Sequence, residues 1–134
     1  MIHLDTSFVV DFLRETSRGE EGSATDLLRT LDRSEIAVSF FVVCELYAGA
    51  ALAGREVEER ARVAGFCAAL RVIYPNDGFA DAYGRLIGVL RRSGQNTGVM
   101  DALIATTALR EGARLVTRDR KNFLTVPGLD LIFY

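Results

Sequence analysis

The sequence predicts an α/β fold built on a mainly parallel sheet, and three observations carry that prediction. Short apolar runs at 2–4, 35–39, 72–74, 114–117 and 129–133 read as strands. Between them lie longer segments whose apolar residues recur at helical spacing. This alternation of strand and helix favours parallel strands joined by right-handed crossovers. The composition fits one folded domain over residues 1–134, with 49% apolar and 25% charged residues and only 2 Pro.

Ile2–Leu4 is apolar and ends at Asp5, as a buried first strand would. The only histidine, His3, reads as a strand-surface residue. Asp5-Thr6-Ser7 then precedes Phe8, Val9, Phe12 and Leu13 at helical spacing, so Asp5 is both a helix N-cap candidate and an acid at a strand end. Thr16–Gly22 is polar and reads as a loop. Ser23–Arg33 reads as a helix with Leu27, Leu28 and Leu31 inward, and Glu35–Ser39 as the second strand, with Ser39 capping the next helix.

In the helix Phe40–Leu52, the residues Phe41, Glu45, Ala48 and Leu52 fall on one stripe, so Glu45 interrupts an apolar face. Glu56–Leu70 is a further helix; its acids Glu56, Glu58 and Glu59 suit a solvated first turn facing the helix dipole. Val72–Tyr74 is the third strand. Asn76 or Asp77 caps a helix that reaches about Arg92, and Ser93–Gly98 is a loop.

Val99–Asp119 holds a helix, a Gly stop and a strand. Asp101 shares its helical face with Ile104, Ala105 and Ala108, where an unpaired carboxylate is costly. The strand Arg114–Thr117 delivers Asp119 at its C-terminal end, the edge where α/β folds bind ligands. Leu129–Phe133 reads as a last strand at the sheet edge.

Four acids therefore stand out by position: Asp5 and Asp119 at strand ends, Glu45 and Asp101 on apolar helical stripes, with Asp11 a weaker fifth. Like charges that converge raise one another's pKa unless a cation intervenes. Carboxylates without His or Cys suit Mg²⁺ or Mn²⁺. Such an ion can activate water and stabilise charge on a phosphoryl oxygen, the chemistry of phosphodiester hydrolysis.

The net charge of −2 does not mark a nucleic-acid binder, but the distribution is uneven: residues 85–134 carry 8 bases and 4 acids. Arg114, Arg118, Arg120 and Lys121 lie close in sequence to Asp119 and are candidates to hold substrate phosphates. Cys44 and Cys67 lie among apolar neighbours and read as core thiols, which suits a reducing cytoplasm. No run approaches the ~18 apolar residues of a membrane span, and the MIHLD start has no basic region followed by an apolar run.

The segments MIHLDTSFVVDFL, VVCELYAGA, MDALIATTAL and LVTRDRKNF resemble, in order and spacing, the successive motifs of PIN-domain nucleases, especially the VapC-type toxins of bacterial toxin–antitoxin pairs. The resemblance runs from Ile2 to the C-terminus. It implies a three-layer α/β/α sandwich with a central parallel sheet of about five strands, and a Mg²⁺- or Mn²⁺-dependent endoribonuclease. Asp5, Glu45 and Asp101 match the family's first three acids. Asp119 matches the acid or Asn after the last inner strand, and Thr6 and Thr117 match small hydroxyl positions beside the site.

By the same resemblance, Asp5 and Asp101 are the main metal ligands, with Asp119 completing the site or binding a second ion weakly, and Glu45 orienting a water or supporting the ligands from behind. The partners implied are an RNA substrate, a small antitoxin and a second copy of the chain. One departure is Asn122, where many members carry an acid before the Phe of the last motif.

A catalytically silent PIN-like interaction module is the alternative. A receiver-type phospho-signalling domain fits less well: Asp5 stands without a paired acid, Val72–Tyr74 ends without one, and the only Lys is Lys121.

Overall fold

The computed structural model describes residues 1–134, and its centre is a sheet of five strands, all parallel. In chain order these are β1 (Ile2–Leu4), β2 (Ile36–Ser39), β3 (Arg71–Ile73), β4 (Arg114–Thr117) and β5 (Leu131–Phe133). The spatial order is β3-β2-β1-β4-β5. The helices are α1 (Thr6–Ser17), α2 (Ser23–Thr30), α3 (Phe40–Leu52), α4 (Glu56–Ala68), α5 (Phe79–Arg92), α6 (Val99–Arg110) and the single turn α7 (Arg120–Phe123). This is the α/β architecture expected from the alternation. The helices pack in pairs, α1 on α2, α3 on α4 and α5 on α6.

The core forms where the sheet's inner strands meet α1, α3 and α6. Leu4, Val38, Leu115 and Val116 from the strands pack with Phe8, Val42, Ile104, Ala105 and Phe123 from the helices, all nearly or fully buried. Each large apolar side chain removed from water here contributes about 1.5–3 kcal/mol. Asp101's stripe mates Ile104, Ala105 and Ala108 belong to this core, so α6 is fixed with its first turn at the site.

Strand register decides what meets at the C-terminal edge. Leu4 is level with Val116 and Ser39 with Ile73. The residues that follow β1 and β4 therefore emerge side by side, and the Asp5 N–H donates to the Val116 carbonyl at 2.9 Å.

Several local expectations are corrected. The second helix ends at Thr30, and Asp32 caps a separate 3₁₀ turn over Arg33–Glu35 by accepting from the Ser34 N–H at 3.0 Å. The cap position of α5 is Gly78, at φ +85°, rather than Asn76 or Asp77. That turn is held from outside: Arg110 donates to the Asn76 side chain and to the Asp77 and Gly78 carbonyls. Cys44 is exposed on α3 and is not a core thiol; Cys67 is partly buried.

His3 is not on the surface. Its strand is the middle one of the sheet, and the residue is 1% exposed. Nε2 lies 3.4 Å from the Met1 sulfur, while Nδ1 has no partner. Burial, with smaller contributions from the N-terminal amine and Arg71, lowers its pKa to about 4. The unfolded chain takes up this proton near pH 6.5, whereas the folded chain refuses it until about pH 4. Stability from this site is therefore full at neutral pH and is lost as pH falls through that window, by about 3 kcal/mol at most. Thermal melts between pH 7 and pH 4 test this: the melting temperature of His3→Leu is expected to fall less steeply on acidification than that of the wild type.

Candidate active site

Four elements each bring one carboxylate to the C-terminal edge of the sheet. Asp5 leaves β1 at the N-cap position of α1 and is 4% exposed. Its side chain makes no capping bond but accepts two hydroxyls on the same oxygen, Oδ2: Thr117 at 2.8 Å and Ser7 at 2.9 Å. No side chain engages Oδ1. Burial raises the Asp5 pKa, and the two hydroxyl bonds oppose that rise.

Glu45 comes from α3, and Thr6 donates to its Oε1 at 2.6 Å. The residue reaches the site, though not by the stripe on which it was read. The inward face of α3 is Val42, Leu46 and Ala50, whereas Ala48 is exposed and Leu52 is 89% exposed. Glu45 stands at the margin of that buried face.

Asp101 occupies the first turn of α6. Its pKa is pushed up to about 6, first by burial and then by the negative charges of Asp5, Asp119 and Glu45. The charges of the three other acids thus reach Asp101.

Asp119 caps α7. Its Oδ1 accepts the Asn122 backbone N–H at 3.0 Å and its Oδ2 the Asn122 side-chain amide at 2.7 Å. Its own N–H donates to the Thr117 hydroxyl at 3.0 Å. An acid at position 122 would repel Asp119; the amide grips it. Asn122 thus fixes the carboxylate through both oxygens.

Thr117 links the two strand ends, since its hydroxyl donates to Asp5 and accepts from the Asp119 N–H, and the residue is fully buried. Thr117→Val keeps the shape but leaves both groups short of a partner. We expect it to cost about 1–3 kcal/mol in urea unfolding, while Thr117→Ser, which keeps the hydroxyl, costs less.

The basic candidates divide. Arg114 pairs with Asp130 at 3.1 Å at the opposite end of β4, three residues before Thr117. At strand rise that is ~10 Å from the acids, so the structure does not bring Arg114 to the site. Arg120 lies over the Phe133 ring at 3.9 Å, and Lys121 is exposed.

Arg118 immediately follows Thr117, and its guanidinium bonds Asp11 at 2.9 and 3.1 Å. Asp11 therefore faces Arg118 and Tyr134 and does not join the four acids. Ser7 and Tyr134 did not stand out in the sequence, and Asn122 did so only as a departure from the family's last motif. Of the first two, only Ser7 carried a local signal, as a hydroxyl two residues after Asp5.

Comparison with known proteins agrees with this geometry. The family described as PIN domain matches residues 2–129. The chain is 35% identical over 127 residues to Ribonuclease VapC19 of Mycobacterium tuberculosis, covering 94% of each. It is 32% identical over 96 residues to Ribonuclease VapC2 of Rickettsia felis, covering 72% of each. Among solved structures, VapBC2 from Rickettsia felis bound to a DNA fragment from its promoter superposes with a TM-score of 0.88 at 28% identity, covering 100% of this chain and 99% of that one.

Proposed function

Because the chain belongs to the PIN-domain family, among the VapC ribonucleases, we propose that it is an endoribonuclease acting as the toxin of a toxin–antitoxin pair. We take residues 1–134 as a single PIN domain. The observation that carries the reading is Asp101, whose carboxyl is pushed up to about 6 by burial and by three other carboxylates arriving from separate elements.

The donor set fits a hard divalent cation. It is all carboxylate oxygen, with no His or Cys among the four acids, as Mg²⁺ or Mn²⁺ prefers. No three such side chains stand close enough to ligate an ion unaided. Mg²⁺ usually retains several waters, which would bridge it to carboxylates standing this far apart. Asp5, Asp101 and Asp119 would hold the ion. When bound, it supplies a Lewis acid for the phosphoryl oxygen and lowers the pKa of water.

The chain's own residues do the rest. Ser7 and Thr117 fix Asp5 through Oδ2 and leave Oδ1 without a side-chain partner, and Asn122 fixes Asp119. Thr6 orients Glu45, which accepts a proton from the attacking water. The water oxygen bonds to phosphorus in line with the departing ester oxygen. One P–O bond breaks, and the leaving oxygen takes a proton from solvent.

The partners in this reading are RNA, a small antitoxin and a second copy of the chain. The antitoxin is supported by the VapBC assembly that this fold matches. No helix is long and apolar enough to cross a membrane, and we place the protein in the cytoplasm. The test is incubation with RNA in Mg²⁺, Mn²⁺ or chelator, beside Asp101→Asn. Cleavage by the wild type only with the cation supports the reading; cleavage that persists in chelator, or in Asp101→Asn, overturns it.

A further inference from the structure

We propose that Arg118, at the edge of a polar hollow beside the acid cluster, forms a subsite for a backbone phosphate of RNA, with Asp11 and Tyr134 as residues that position it. The proposal rests on the ribonuclease reading above and names a part of the substrate path that the four acids do not cover.

The hollow has a volume of about 350 Å³ and no apolar lining; Arg14, Arg18 and Arg118 are on its walls. Asp11, Glu15, Glu20 and Glu21 line it as well. Glu15 accepts the backbone N–H groups of Ala24 and Thr25 at 3.2 and 2.8 Å, at the start of α2. Glu21 pairs with Arg29 at 2.6 Å. Four carboxylates, Asp11, Glu15, Glu20 and Glu21, thus face three guanidiniums, so the hollow as a whole is not positive and the attraction for a phosphate lies at Arg118 on its edge. A polar, open recess without apolar lining is unsuited to an apolar ligand.

Arg118 is held there with unusual care for a surface arginine. Both oxygens of Asp11 meet the same nitrogen, Nη1, at 2.9 and 3.1 Å, and Arg14 adds a looser contact to Asp11 at 3.7 Å. The Asp11 side chain is 13% exposed, whereas the acids of the other ion pairs are at least 35% exposed. Tyr134 donates its hydroxyl to Asp11 Oδ2 at 2.8 Å, and its ring packs edge-on against Phe8 at 5.1 Å. The rest of the guanidinium, Nε and Nη2, makes no bond to the protein, and the Arg118 side chain is 54% exposed. A guanidinium fixed at one corner and open at the others is pre-organised to take a second anion.

Its position also fits. Arg118 follows Thr117 directly, and its N–H lies 3.5 Å from the Ser7 hydroxyl that binds Asp5. A phosphate held by Arg118 is therefore a neighbour of the one at the acids. The basic candidate on β4 itself, Arg114, sits at the far end of the strand and is matched by Asp130.

The test measures binding of a labelled single-stranded oligoribonucleotide in Mg²⁺ across a salt series, with every variant made in an Asp101→Asn background. Arg118→Ala is expected to weaken binding about three- to tenfold and to flatten the slope of log affinity against log salt by ~0.7, the contribution of one phosphate contact on a single strand. Asp11→Asn removes a negative charge, so bulk electrostatics alone predicts tighter binding; positioning predicts weaker binding, by about threefold or more.

Tyr134→Phe keeps the ring on Phe8 and loses only the hydroxyl, so it is expected to weaken binding while staying folded, with a melting temperature only a few degrees lower. Unchanged affinity and slope in Arg118→Ala overturn the subsite. Equal or tighter binding in Asp11→Asn overturns the positioning role; if that variant unfolds early, unchanged affinity in Tyr134→Phe overturns it instead. Wild-type cleavage of the same RNA, measured alongside, separates the two claims. Cleavage with no Arg118 effect removes the subsite and leaves the ribonuclease, whereas no cleavage in Mg²⁺ removes the ribonuclease reading itself.

Discussion

Asp101→Asn is expected to lower RNA cleavage by about 10²–10³-fold, the scale on which removing one preorganised charge-stabilising group acts, while making the protein more stable. The two effects share a cause. Asp101 is a half-buried carboxylate whose pKa is raised to about 6 by burial and by Asp5, Asp119 and Glu45. A group with a raised acid pKa favours the folded state while protonated. Its contribution is present at low pH and is lost as pH climbs from the unfolded value of 3.8 through about 6.

At pH 7.5 the ionised Asp101 is therefore a liability, and a neutral amide of the same shape removes it. After discounting for solvent screening, the gain is about 1 kcal/mol, or roughly 3–5 °C in melting temperature for a domain of this size. A calorimetric scan in chelator and a cleavage time course in Mg²⁺ check both halves. A variant that is inactive and less stable points to misfolding; one that is active removes Asp101 from the site.

Cation affinity is expected to collapse on acidification. A divalent ion must displace any proton on Asp101, so below about pH 6 each pH unit lowers apparent affinity about tenfold for one linked proton. From pH 7.5 to pH 5.0, Mn²⁺ binding followed by electron paramagnetic resonance weakens by about an order of magnitude. Above pH 7 it is flat. The same ion raises the melting point most at high pH, because a ligand at 100 times its dissociation constant stabilises by ~2.7 kcal/mol. Affinity independent of pH between 5 and 7.5 argues that the ion sits elsewhere.

These opposing pH responses also separate two parts of the molecule. His3, at the centre of the sheet, loses stability on acidification through the same range in which Asp101 gains it. The net melting curve of the wild type is a difference of the two, and single variants resolve it.

What could be read from the residues alone depended on whether the local pattern had a phase. Asp101 was legible because Ile104, Ala105 and Ala108 form a real stripe, buried in the structure. Glu45 was singled out for a reason that failed: α3 is apolar almost all round, so spacing alone did not distinguish Val42, Leu46 and Ala50 from the exposed Ala48 and Leu52. The strand at Ile2–Leu4 was legible, but its central place in the sheet was not, and with that His3 was misplaced.

Arg114 looked near Asp119 by number, yet an extended strand carries residues apart at about 3.3 Å each. The hydroxyl clamp on Asp5 joins residues 112 apart, and the Asp11–Tyr134 bond residues 123 apart; neither has a local signature. The turn α7 is four residues long, too short for periodicity to reveal, and Asn122 acquires its meaning only there, as the residue that holds Asp119.

The most direct test of the central claim, that the four acids form one cation-dependent site that delivers water to an RNA phosphodiester, is cleavage of a defined RNA in ¹⁸O-labelled water with Mg²⁺. Oxygen-18 in the terminal phosphate of the product, with no 2′,3′-cyclic phosphate at any time and no product in chelator, is the predicted result. A cyclic phosphate, formed by attack of the RNA's own 2′-hydroxyl, or unlabelled product ends, would contradict it.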